Sequence, residues 1–100
     1  MARKLQSQTA EFWRGLRGKV VVTSQPRKAR RQLAGLPDIL VWIRGYHLSL
    51  ECKEEGDTLR ESQVRFLDEV GGHRGPYVLV RVVTSIEDSE TIARSLGLVA

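Results

Sequence analysis

One hundred residues make a single domain, placed here at residues 1–100, and the 28% of charged and 41% of apolar residues are ordinary for a folded soluble protein. The single cysteine excludes an internal disulfide, and the longest apolar runs are too short to span a membrane. We expect a cytoplasmic protein without a signal peptide or membrane contact. The net charge of +4 suits a polyanionic partner, although a basic surface that is only solvated fits it equally well.

The first third of the chain predicts a helix, a strand and a basic loop. Apolar residues at roughly helical spacing predict the helix over residues 5–17, ending near Gly18. The β-branched residues of 20–23 predict a strand, because branching at Cβ favours extended backbone. Residues 24–34 are polar and strongly basic, with a proline near their start, and predict a loop.

The next segment predicts an antiparallel hairpin. Residues 38–43 form a continuous apolar run of strand length, and residues 44–46 supply the turn. Residues 47–53 alternate in polarity, so their side chains lie on opposite faces of the sheet. One face is apolar and carries Leu48, Leu50 and Cys52. The other face is polar and carries Ser49, Glu51 and Lys53.

The rest of the chain predicts two helices with a strand between them. The helix starts are predicted by two capping-box patterns, Thr58-x-x-Glu61 and Ser85-x-x-Asp88. Glycines at 71–72 predict the end of the first of these helices, and residues 77–83 predict the strand. The predicted order is αβββαβα, an α/β fold in which helices flank a mixed sheet.

Three ionisable side chains on the predicted hairpin are candidates for a functional site. Glu51 and Lys53 share a strand face, and the hairpin brings Asp38, which begins the preceding strand, beside Glu51. Neighbouring carboxylates can bind a divalent metal ion, the backbone carbonyl of Cys52 can add an oxygen ligand, and a lysine can position the water for phosphodiester hydrolysis. Glu51 and Lys53 alone would more simply form an ion pair on a solvated strand. The presence of Asp38 beside them favours a functional site over a surface ion pair.

Gln63 occupies the apolar stripe of the helix that follows, together with Phe66, Leu67 and Val70. A polar side chain at such a position needs a buried hydrogen-bond partner, and the carboxylate–lysine cluster is the obvious one. The alternative is a glutamine at the edge of the helix.

These residues carry a resemblance to a known family. The segment from Gly35 to Gln63 resembles the PD-(D/E)XK nuclease motif. Its form, G-x-P-D followed by E-x-K and a glutamine in the next helix, is similar to the VRR-NUC branch (virus-type replication-repair nuclease). The resemblance spans residues 5–83 and implies a restriction-endonuclease-like αβββαβ core, with a mixed sheet flanked by helices.

The resemblance also implies roles for the site residues. Asp38 and Glu51 would bind Mg²⁺ or Mn²⁺, Lys53 would serve the attacking water, and Gln63 would support the site from its helix. Family members usually carry an acidic residue in the first helix as well. Glu11 is the only carboxylate before Asp38 that could take this role; the alternative is a glutamate on the helix surface.

A basic cluster precedes the motif and consists of Arg27, Lys28, Arg30 and Arg31. Such side chains contact DNA phosphates without reading sequence, although they also fit a solvated loop. No phosphate-binding loop pattern occurs, so we expect no nucleotide cofactor.

Members of this size resemble stand-alone, phage-type proteins, which act in the host cytoplasm and for which branched DNA is the implied substrate. We expect a metal-dependent endonuclease for branched DNA, above all four-way (Holliday) junctions. Symmetric cleavage needs two active sites, so we expect a homodimer, joined through Phe12, Trp13 and Leu16 or through the final helix. Two alternatives stay open: a flap or general nuclease without junction preference, and a DNA-binding module with little cleavage.

Overall fold

A computed structural model of the chain describes residues 2–23, 36–54, 56–73 and 75–100. The helices are α1 (Ala2–Gly15), α2 (Glu61–Gly71) and α3 (Ile86–Ser95). The strands are β1 (Lys19–Val22), β2 (Ile39–Ile43), β3 (Tyr46–Cys52) and β4 (Val78–Val83). The predicted order αβββαβα is confirmed, while the predicted loop at 24–34 lies outside the described residues. Over the part of the chain that is described, none of the helices is long and apolar enough to cross a bilayer.

The four strands form one mixed sheet in the order β1-β2-β3-β4. β2 is antiparallel to both β1 and β3, and β4 runs parallel to β3. A two-residue turn joins β2 to β3 at Arg44 and Gly45, whose φ angles of +48° and +88° suit a tight hairpin. Tyr46, predicted in the turn, instead begins β3 and pairs with Ile43. The connection from β3 to its parallel neighbour contains α2.

One face of the sheet packs against α1 and α3 and forms the core. On β3 the residues alternate as predicted, so that Leu48, Leu50 and Cys52 lie on this face and are 0–1% exposed. Ile39 and Val41 of β2 lie beside them and are fully buried. Trp13 of α1 is fully buried among them and donates its indole N–H to the hydroxyl of Ser89 on α3 at 3.2 Å. A dimer interface through Trp13 is therefore wrong, because this side chain lies in the core of its own subunit.

The second face of the sheet is covered unevenly within the described residues. The amphipathic helix α2 packs over the β4 side with its predicted stripe, in which Gln63 is buried and Phe66, Leu67 and Val70 are half-buried. The β1–β2 side of this face carries exposed apolar residues, Val21 at 38% and Trp42 at 46%. This second face is the one on which Glu51 lies.

The start of α2 corrects the predicted capping box. Thr58 is not the N-cap, since the helix begins at Glu61 and Arg60 precedes its first turn. Gln63 closes the turn, because its Oε1 accepts the backbone N–H of Arg60 at 2.8 Å. The side chain that was expected to support the site therefore also caps the helix.

The start of α3 agrees with its capping pattern in position but differs in contacts. Ser85 is the N-cap residue, yet its side chain makes no capping hydrogen bond. Asp88 instead accepts the backbone N–H and the hydroxyl of Thr84, at 2.7 and 2.9 Å. These bonds fix the chain as it leaves β4.

Candidate functional site

The candidate site lies where β2 begins and β3 ends. The register pairs Ile39 with Leu50, which places Asp38 opposite Glu51 on the second face. Oδ2 of Asp38 accepts the backbone N–H of Cys52 at 3.0 Å, and this bond holds the Asp38 carboxylate against β3. The structure thus brings the two carboxylates together, as the predicted hairpin requires.

Glu51 is an ionisable side chain that is only 1% exposed. Its Oε2 accepts a hydrogen bond from Nε2 of Gln63 at 2.5 Å, and Nζ of Lys53 lies 3.6 Å from the same oxygen. Burial, followed by the charge and hydrogen bond of Asp38, raises the pKa of Glu51 to about 7, against the opposing charge of Lys53. Near neutral pH the Glu51 carboxyl group is therefore protonated for part of the time.

Gln63 fixes the orientation of Glu51 from α2. Its amide nitrogen donates to Glu51, while its amide oxygen accepts the backbone N–H of Arg60. The side chain is 3% exposed and both ends of the amide are engaged, so its orientation is determined. The prediction that this glutamine reaches a buried partner in the cluster is confirmed.

Lys53 directly follows the last residue of β3 and lines an open cleft. Its backbone N–H donates to the carbonyl of Val83 at 2.9 Å, and its side chain is 17% exposed. The cleft has a volume of about 280 Å³ and is lined by Gln6, Asp38, Glu51, Cys52, Lys53, Asp57, Thr58, Arg60 and Gln63. All four predicted catalytic side chains therefore line one solvent-accessible cavity.

The donors in this cleft fit a hard divalent cation. The carboxylate oxygens of Asp38 and Glu51, with the backbone carbonyl of Cys52 between Glu51 and Lys53, are ligands that Mg²⁺ and Mn²⁺ prefer. Binding of a cation by these residues would displace the proton that burial, followed by the charge of Asp38, favours on Glu51. Among the described residues no three acidic, histidine or cysteine side chains converge, so carbonyl, water and substrate oxygens would complete the coordination.

The thiol of Cys52 is separate from this chemistry. It is 1% exposed within the core, as the strand alternation predicts, and burial raises its pKa to about 12. A buried thiol that does not ionise near neutral pH is a poor nucleophile and a poor metal ligand. Only the backbone carbonyl of this residue is a candidate ligand.

Glu11 is not brought to the cleft. Its exposed side chain pairs with Arg14 at 3.6 Å and lines a different cavity, beside Phe12 and Ile86. Gln6 is the α1 residue that lines the cleft. These two positions are related as i and i+5, about 140° apart around the helix axis. Gln6 was not identified from the sequence, because the residue expected on the first helix was a carboxylate. The position of Gln6 on the helix relative to the buried Leu5 is the signal that could have identified it.

The predicted DNA-binding cluster is not part of the described geometry. Arg27, Lys28, Arg30 and Arg31 lie outside the described residues. Their predicted contact with phosphates stays a prediction.

Comparison with known proteins agrees with the fold and with the order of the site residues. The family model of the VRR-NUC domain matches residues 3–84. A solved structure described as "VRR_NUC domain" superimposes with a TM-score of 0.66 and 26% sequence identity, and the alignment covers 92% of each chain. No match is found among curated proteins.

Proposed function

Because the chain belongs to the VRR-NUC family and is a nuclease of the PD-(D/E)XK type, we propose that it is a Mg²⁺- or Mn²⁺-dependent endonuclease for branched DNA. The observation that carries this proposal is the convergence of Asp38, Glu51 and Lys53 in one cleft, with Gln63 holding Glu51 in place. A surface ion pair would not need a buried carboxylate with a raised pKa.

The two carboxylates and the Cys52 carbonyl are the groups that would hold the metal. When bound, the ion supplies Lewis-acid activation of water and stabilises negative charge on the phosphate. The backbone N–H of Cys52 orients Asp38, and Gln63 orients Glu51, so the site is organised before substrate arrives. Both orienting bonds come from regular secondary structure, which limits movement of the carboxylates.

Lys53 supplies the positive charge at the reaction centre. Its ammonium group lies beside Glu51 and borders the open cleft, where it can position the attacking water and offset charge that develops on the phosphate oxygens. In-line attack of the water on phosphorus breaks the bond to the leaving oxygen. The products are a phosphate monoester, in which the water oxygen has replaced the leaving oxygen on phosphorus, and a strand end whose leaving oxygen takes up a proton to become a hydroxyl group.

Branched DNA is proposed as the substrate because it is the substrate class that the family resemblance implies. Basic residues 27–31 are proposed to contact phosphates, which gives affinity without sequence readout. A four-way junction has two-fold symmetry, and each subunit contributes one catalytic cluster, so we propose a homodimer that makes paired cuts.

The test is cleavage of labelled DNA of four kinds: a four-way junction, a matched duplex, a single strand and a flap. Each is incubated with Mg²⁺, Mn²⁺ or EDTA. We expect metal-dependent paired cuts in the junction. Equal cutting of all four DNAs would remove the junction preference and keep the nuclease, whereas DNA binding without cutting in either metal would favour a binding module.

A further inference from the structure

A half-exposed aromatic pair lies on the same sheet face as the catalytic cluster. Trp42 of β2 and His47 of β3 are direct partners in the register, and their rings stack with centroids 4.7 Å apart and planes inclined by 27°. Trp42 is 46% exposed, while its strand neighbours Val41 and Ile43 are buried. A large aromatic side chain that is half exposed contributes little to the stability of the core and is typical of a contact surface.

His47 holds the indole in a fixed position. Its Nδ1 lies 3.1 Å from the carbonyl oxygen of Val41, and because a carbonyl only accepts, Nδ1 carries the proton. Its Nε2 lies 3.4 Å from the hydroxyl oxygen of Ser49. Both ring nitrogens are engaged within the sheet, so the imidazole is a rigid backing for one side of Trp42.

This pair and the catalytic carboxylates occupy one continuous strip of the second face. Asp38 and Trp42 are related as i and i+4 along β2, so both side chains lie on one face, about 13 Å apart along the strand. Glu51 and His47 have the same relation on β3. A DNA whose phosphate enters the cleft would reach Trp42 within about four base-pair steps.

The charges around Trp42 suit a polyanion. Lys19 of β1 is its register partner on the other side and is exposed, and Arg44 is exposed in the adjoining turn. Within β1 and β2, both described in full, the positions on this face carry no acidic side chain; they are Lys19, Val21, Leu40 and Trp42. Aromatic rings flanked by cations bind unpaired nucleotides, because the ring stacks on the base while the cations hold the backbone.

We propose that Trp42, backed by His47, stacks on an unpaired base of the DNA substrate about four nucleotides from the scissile phosphate. The proposal rests on the proposed nuclease function and specifies its substrate as DNA with a base outside its stack near the cut. Paired bases inside a continuous duplex are stacked on one another and offer Trp42 no free face. The strip therefore favours DNA that is open close to the cleavage position.

The two tryptophans of this chain allow a direct test. Trp13 is fully buried and Trp42 is 46% exposed, so acrylamide quenches mainly Trp42 fluorescence in the intact protein. In EDTA, the protein is titrated with a junction carrying unpaired bases at its centre and with a blunt duplex of equal length. We expect the junction to change Trp42 fluorescence and protect it from acrylamide, and the duplex to leave both unchanged.

Binding of labelled DNA is then followed by anisotropy in three variants. Trp42→Ala should weaken binding of the open junction by roughly tenfold, while Trp42→Phe, which keeps an aromatic face, retains most of the affinity. Tyr77→Ala is the matched control, because Tyr77 is 60% exposed but packs on Tyr46, a residue that the register places on the opposite face. This control should bind as the unmodified protein does.

Four results would overturn the stacking proposal. Equal fluorescence responses to both DNAs, or unchanged affinity of Trp42→Ala, would show that this face does not sense unpaired bases; metal-dependent cleavage by the unmodified protein would then still support the nuclease. A Trp42 signal that changes with protein concentration in the absence of DNA would assign the face to a second copy of the chain. Failure of both DNAs to bind would overturn the proposed function as well.

Discussion

Gln63 donates its amide N–H to Oε2 of Glu51 at 2.5 Å, across the boundary between helix and sheet. The other end of the same amide accepts the backbone N–H of Arg60 and closes the first turn of α2. One side chain therefore ties the start of a helix to the buried carboxylate. Since Lys53 lies near the same carboxylate oxygen, the geometry of all three groups depends on this contact.

Replacing Lys53 by alanine should lower the cleavage rate by at least about a hundredfold, because the charge beside the reacting phosphate is lost. The fold should persist, since the lysine side chain is outside the core and its backbone bond to β4 is retained. Circular dichroism and DNA anisotropy would check folding and binding, with exposed Lys4→Ala as the control. Cleavage near the normal rate in Lys53→Ala would reject the assigned role.

Replacing Gln63 by leucine keeps an apolar stripe but removes both hydrogen bonds of the amide. We expect a loss of about 1–3 kcal/mol in the free energy of unfolding, because the N–H of Arg60 and the Glu51 carboxylate lose their partner. Cleavage should fall as well, since Glu51 is no longer oriented. Urea denaturation in EDTA measures the first effect, and exposed Val64→Leu on the same helix is the control. Unchanged stability and cleavage in Gln63→Leu would contradict this prediction.

Glu51 should make the metal-free protein less stable as pH rises. Its pKa is raised from 4.5 to about 7 in the folded state, so the folded chain binds more protons than the unfolded chain between these values. The free energy of unfolding should therefore fall through this window, by on the order of 3 kcal/mol. Glu51→Gln should equal the unmodified protein near pH 4 and exceed it at pH 8.

Urea titrations in EDTA across pH 4–8 would measure this difference between Glu51→Gln and the unmodified protein. Addition of Mn²⁺ at pH 8 should stabilise the unmodified protein and have much less effect on Glu51→Gln, because the neutral amide lacks the charge that binds the ion. Parallel pH profiles of the two proteins would show that Glu51 ionises freely in the fold.

Exchanging the polar residues of α1 would show which helix face serves the site. Gln6→Glu adds a carboxylate to the cleft and should tighten Mn²⁺ binding by roughly tenfold, because affinity rises with the charge of the ligands. Glu11→Gln should leave the affinity unchanged, since Glu11 pairs with Arg14 on another face. Isothermal calorimetry without DNA measures both. A loss of Mn²⁺ affinity in Glu11→Gln would restore Glu11 as a ligand.

Local patterns in the sequence determine much of this fold and site. The alternation of residues 47–53 predicts which side chains enter the core, and the hairpin predicts that Asp38 meets Glu51. A glutamine in an apolar stripe predicts its buried partner. Each of these inferences depends on spacing along one element or between two adjacent strands.

The features that the sequence did not reveal depend on how distant elements pack. Trp13 belonged to one of two candidate dimer interfaces, because nothing in α1 alone shows that α3 lies over it and supplies Ser89. Gln6 and Glu11 are both polar, and only the docking of α1 on the sheet decides which one faces the cleft. Thr58 is a residue type that commonly caps helices. In the structure Gln63 instead closes the first turn of α2, by accepting the backbone N–H of Arg60, and also donates to Glu51.

The two-residue turn at Arg44 and Gly45 sets the register of the hairpin, and so determines which residues face each other at its far end. Because the turn has a fixed length, it fixes the register of β2 with β3 and places Glu51 opposite Asp38. A slip of one residue would exchange the faces of β3, turning Glu51 toward the core and the thiol of Cys52 toward the cleft. The turn therefore determines which side chains of β3 face the cleft, although it lies at the opposite end of the hairpin.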